Sequence, residues 1–177
     1  MLRDRIPPVA AILSVYAVIA FMVFGWTILN FLWEFSSWIF FLTTGEILTI
    51  FAYSMVSDLL ESLAILGFLL LVCLILPADW LRHVFSTRAT IAVIFGLGFI
   101  MFFVYRYTAI GFSFVSSLPA WSWGGLALTL IMTVFSTRIR ALARVADWLS
   151  DRLIVFLFIL IPVSLISLIS IIYRNIF

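Results

Sequence analysis

Asp58 and Glu61 are two carboxylates three positions apart in a stretch otherwise rich in leucine, isoleucine and phenylalanine. On a helix that spacing is close to one turn, so both side chains share a face. Glu46, Tyr53, Ser54 and Ser57 fall on the same side, while Ile47, Phe51, Val56 and Leu59 fall on the other, which makes the segment amphipathic. A stripe of this kind suits three chemistries. It serves as the wetted face of a helix that projects beyond a bilayer, as an ion-pair partner for Arg106, or as a proton or cation site, because two adjacent negative charges are relieved by a bound cation. The third is the weakest, since no second acidic helix is present to complete a relay.

Other reactive residues are sparse. His83 and Cys73 are the only histidine and cysteine, so they supply neither a disulfide nor an all-nitrogen or all-sulfur metal site. Ser113 has a glycine two residues before it, but the topology set by the arginines puts it on the opposite side of the membrane from His83, and a serine without a base is not activated. There is no metalloprotease His-Glu-x-x-His, no phosphate-binding P-loop and no dinucleotide glycine fingerprint. No cofactor and no metal are expected, and an enzyme working through carboxylates alone is the one catalytic form left open.

The elements that hold these residues follow from composition. The chain has 177 residues, 66% of them apolar and 10% charged, with a mean hydropathy of +1.32. Soluble domains average about 45–50% apolar and about 25% charged, so most of this chain is expected to face lipid. The apolar runs do not alternate as barrel strands do, which leaves an all-α integral membrane protein. All ten basic residues are arginines, scattered too widely for the dense basic surface that nucleic acid requires.

A helix needs roughly 20 apolar residues to cross a bilayer, and five spans are predicted, at 9–29, 46–76, 89–105, 120–135 and 153–172. Arg3 and Arg5 precede the first, whose length exceeds a signal-peptide core and predicts an uncleaved helix. Between the first two spans, Phe31, Trp33, Phe35, Trp38, Phe40 and Phe41 surround Glu34, suggesting an outer interfacial or partly re-entrant aromatic segment. Pro77 ends the second span. Counting about 20 residues back from it puts the outer hydrocarbon boundary near Ser57, with Asp58 and Glu61 in the boundary zone and Glu46 outside. Arg106 stops the third span, residues 136–152 form a polar connection, and Pro162 is a candidate kink in the fifth.

Arginine counts set the orientation. Arg3, Arg5, Arg82, Arg88, Arg138, Arg140, Arg144 and Arg152 fall on one side, and Arg106 and Arg174 on the other. The positive-inside rule then places the amino terminus and the 77–88 and 136–152 connections in the cytoplasm and the carboxyl terminus outside, in a plasma (inner) membrane. Trp80 and Trp148 mark the inner interface, and Trp33, Trp38, Trp121 and Trp123 the outer one. Ala-Asp-Trp-Leu and Phe-Ser-Thr-Arg each occur twice, at offsets of 68 and 50 residues, and two unequal offsets do not describe a duplication. Ala92 and Gly96, with Gly124 and Gly125, offer close helix approach.

The expectation for function is a small non-catalytic polytopic membrane protein: an accessory, assembly or scaffold subunit whose partners are the lipid bilayer and other membrane subunits or further copies of itself. The alternative is an oligomeric transporter or channel protomer lined by Asp58 and Glu61. One observable separates them. A pathway requires those carboxylates in a wet cavity, whereas a scaffold requires them satisfied by Arg106, serine or backbone groups.

Overall fold

Pro8 sets the start of the first helix, since an extended proline ahead of the first turn loses no hydrogen bond the helix needs. The structure, a computed structural model, describes residues 7–75, 85–110, 114–136 and 139–176. Among the described residues it is all-helical, with five helices long and apolar enough to cross a membrane. They are α1 (Val9–Trp38), α2 (Thr44–Ile75), α3 (Phe85–Ile110), α4 (Phe114–Phe135) and α5 (Arg140–Ile176).

The number of helices agrees with the sequence reading, and several of their limits do not. The aromatic segment expected to lie between the first two spans belongs largely to α1, which runs without a break to Trp38. Nothing in that stretch opposes helix: the Asn30 side chain donates back to the Trp26 carbonyl at 2.8 Å and Ser36 to Trp33 at 3.2 Å, so its polar groups are met within the helix. The turn is confined to the few residues after Trp38. It ends at a capping box, in which the Glu46 carboxylate accepts from the Thr43 amide at 2.8 Å while the Thr43 hydroxyl oxygen faces the Glu46 amide at 3.4 Å. That reciprocal pair is why α2 begins at Thr44.

The polar connection expected over 136–152 is helical from Arg140 onward. Its charges mask a repeat in which Ala146, Ser150, Leu153 and Leu157 are buried at helical spacing, while Arg144, Asp147, Trp148 and Asp151 stay exposed. Thr87 donates to Asp147 at 2.8 Å and ties this basic-end extension to the start of α3. Arg106 does not stop α3, which continues to Ile110.

α1 is the central helix. Val15, Ala17, Val18, Ile19, Ala20, Val23 and Phe24 are buried on several sides, and α2, α3 and α5 all pack on it. α2 and α5 also pack on each other, whereas α4 lies chiefly against α3. There Gly125 brings the two backbones close enough that the Phe99 ring occupies the space a β-carbon would need.

Candidate functional site

α2 buries two polar side chains, Asp58 and Ser62. Asp58 is 3% exposed, and one of its carboxylate oxygens accepts from the Thr27 hydroxyl of α1 at 2.8 Å. The other oxygen is buried and finds no hydrogen-bond donor among the described residues. One turn further along, the fully buried Ser62 donates to the Leu59 carbonyl at 2.9 Å and meets the Tyr16 hydroxyl of α1 at 3.3 Å. Since the Ser62 proton is committed to Leu59, the Tyr16 hydroxyl is the donor in that pair. Thr27 and Tyr16 thus form the α1 half of a polar seam whose α2 half is Asp58 and Ser62.

The remaining stripe residues do different work. Ser54 donates to the Ile50 carbonyl at 3.0 Å, a bond within its own helix. Ser57 and Glu61 are both exposed, and Ser57 donates to the Glu61 carboxylate at 3.3 Å. Glu46 caps α2 and is exposed. Arg106 is exposed on α3, a helix that packs on α1, α4 and α5, and the expected pair with Asp58 or Glu61 does not form. That expectation assumed that α2 and α3 were neighbours because their ends lay on one side. α1 and α5 take the packing positions beside α2 instead.

The level of the carboxylates along the bundle follows from the α2–α5 contacts. The Arg174 guanidinium donates to the Thr49 hydroxyl, and Asn175 donates to the Tyr53 hydroxyl at 3.3 Å, so the start of α2 meets the end of α5, and the two helices, which pack on each other, run antiparallel. Between Arg152 and Arg174, α5 has no charged residue, a stretch about 31 Å long at 1.5 Å per residue. Counting down α2 from Thr49 and from Tyr53 brings Glu61 level with residues 162 to 167 of α5, in the middle part of that stretch. Asp58 lies just above it. Both carboxylates therefore lie alongside the uncharged part of α5.

Of the aromatic anchors, Trp33, Trp123 and Trp148 are exposed, and the Arg152 guanidinium lies 5.1 Å from the Trp148 ring centroid. Trp38 meets Phe31 edge-on at 5.4 Å, and Trp121 stacks among Phe99, Phe102 and Phe103. Trp80 lies outside the described residues. Two open surface grooves, one lined by Trp26, Leu29, Trp33 and Tyr105 and the other running between α2 and α5, are not lined by Asp58 or Glu61.

Sequence reading missed Thr27, Tyr16 and Ser62. A signal was present: Tyr16 and Thr27 are isolated polar residues three turns apart within the first apolar run, and Ser62 is one turn beyond Asp58. Among the described residues, no group of three or more His, Cys, Asp or Glu side chains is placed to hold a metal ion. The arrangement joins helices through polar contacts and includes one incompletely matched carboxylate. Comparison with protein-family models, with curated proteins and with solved structures finds no match for this chain, so geometry alone bears on what it does.

Proposed function

We propose that the five helices span a lipid bilayer and that the chain is a non-catalytic accessory, assembly or scaffold subunit of a complex in the plasma (inner) membrane. In this reading the amino terminus and the 77–88 and 136–152 regions are cytoplasmic and the carboxyl terminus is outside, as the arginine distribution favours. The observation that carries the reading is the Thr27–Asp58 contact. The most deeply placed buried carboxylate is turned into the α1–α2 interface and bonded to a neighbouring helix. Polar side chains used in this way join helices to one another. A conduction pathway would instead hold them against water.

A second reading, an oligomeric transporter or channel protomer, has one observation in its favour: the Asp58 oxygen that has no donor among the described residues. The two readings separate in reconstituted vesicles. With the purified chain in liposomes under a proton, sodium or potassium gradient, the subunit reading expects ion flux equal to that of protein-free vesicles. Flux above that background, abolished by Asp58→Asn, would replace it with the transport reading.

A further inference from the structure

Glu61 supports a step that rests on the subunit reading and makes it specific. Tyr53, Ser57, Glu61, Ala64, Phe68 and Leu71 follow at intervals of four, four, three, four and three residues, so they form one stripe down α2. Every one of them is exposed; Tyr53, at the upper end, is met by Asn175 of α5, and from Ser57 to Leu71 the face is open. Glu61 is central in the stripe, and its hydrogen-bond partner is Ser57, itself exposed. Counted from the Thr49–Arg174 and Tyr53–Asn175 contacts, it sits level with residues 162 to 167, in the middle part of the uncharged stretch of α5.

Exposed apolar residues at that depth are ordinary, because lipid covers them. An exposed carboxylate is not, because hydrocarbon offers it neither donor nor counter-charge, and ionisable groups at mid-bilayer almost always face protein or water. A second copy of this chain does not meet the need. The sequence has no lysine, and Arg88, Arg140, Arg144 and Arg152 lie toward one end of the bundle while Arg106 and Arg174 lie toward the other. Two copies meeting through this face would set carboxylate against carboxylate.

We infer that this face of α2 is the docking surface for a transmembrane helix of a different membrane protein, one that presents an arginine or lysine at mid-depth to Glu61. Ser57 and Ala64, small residues on either side of Glu61, let such a helix approach closely. Phe68 and Leu71 extend the apolar contact toward the cytoplasmic end.

Photo-cross-linking in intact membranes of the native host tests this. A benzophenone amino acid is introduced singly at Leu60 and Ala64, beside Glu61, and at Phe158 and Ile159 on the exposed side of α5 as controls. The expected result is an adduct to one other polypeptide from the two α2 positions, mapping to an apolar segment that contains an arginine or lysine. Glu61→Ala should lower its yield roughly three- to tenfold, as loss of an interhelical polar contact in a membrane would. Reversing both charges, with Glu61→Arg and an acidic residue in the partner, should restore it. Because Glu61 is exposed, the variant should keep the thermal stability of the isolated chain in detergent, so a loss of adduct reports docking and not unfolding. Adducts from α2 only to lipid, only to a second copy, or to a helix without a basic residue overturn the inference. Adducts to another protein from the α5 positions alone overturn it and leave the subunit reading standing, whereas no polypeptide adduct from any position overturns both.

Discussion

Thr27→Val, which removes one hydroxyl and keeps the side-chain shape, is expected to destabilise the bundle by about 1–3 kcal/mol, the cost of leaving a buried polar group unmatched. The hydrogen bond alone is a small part of this, since such contacts between membrane helices average about 0.6 kcal/mol. The larger part comes from Asp58. Among the described residues Thr27 is its hydrogen-bond donor and its second oxygen has none, so the variant leaves the buried carboxyl group without a donor there. Asp58→Leu removes the group that needs satisfying, and the double variant Thr27→Val/Asp58→Leu should return close to the parent, as replacing both members of a buried polar pair often does. Thermal denaturation in detergent reads the cycle, at about 2–4 °C per kcal/mol for a chain of this size. Strictly additive losses would mean that the two side chains are not coupled.

Gly125→Ala should be the most damaging single-methyl change in the α3–α4 pair. The added carbon would overlap the Phe99 ring, and moving that ring would disturb its tilted contact with Trp121, centroids 5.8 Å apart. Overpacking of this kind costs about 1–3 kcal/mol. The adjacent Gly124 is the internal control. No atom lies within 4 Å of where its β-carbon would be, so Gly124→Ala should be neutral or favour the helix, by up to about 1 kcal/mol. Detergent melting of the two variants side by side gives the comparison, and equal effects at both positions would show that α4 does not seat on α3 through Gly125.

The helices were legible because apolar runs of this length exceed what a soluble core can cover, and the carboxylate stripe was legible because acidic residues stand out against leucine. What surrounds the stripe was not. The capping box at Thr43 and Glu46 was present in the sequence, but the tryptophans and phenylalanines before it suggested an interface segment, and the α1 boundary was placed nine residues early as a result. Charges over 136–152 drew attention from Ala146, Ser150 and Leu153, whose spacing marks the start of α5. The Arg106 pairing failed for a deeper reason. Which helices touch is settled by packing across the whole bundle, and hydropathy along one chain does not encode it. The same limit hid Thr27, whose role exists only when α1 lies against α2.

Water access to the seam tests most directly the claim that α2 holds its buried polar groups against other helices and not along a pathway. In a Cys73→Ala background, single changes Met55→Cys, Asp58→Cys and Ser62→Cys probe the buried face of α2, and Glu46→Cys and Asp147→Cys probe exposed positions near the two ends of the bundle. With a small water-soluble thiol reagent applied to both sides of reconstituted membranes, positions 46 and 147 should react quickly and positions 55, 58 and 62 should stay unmodified. Rapid labelling at position 58 or 62 would contradict the account, because it would put water where the structure puts α1.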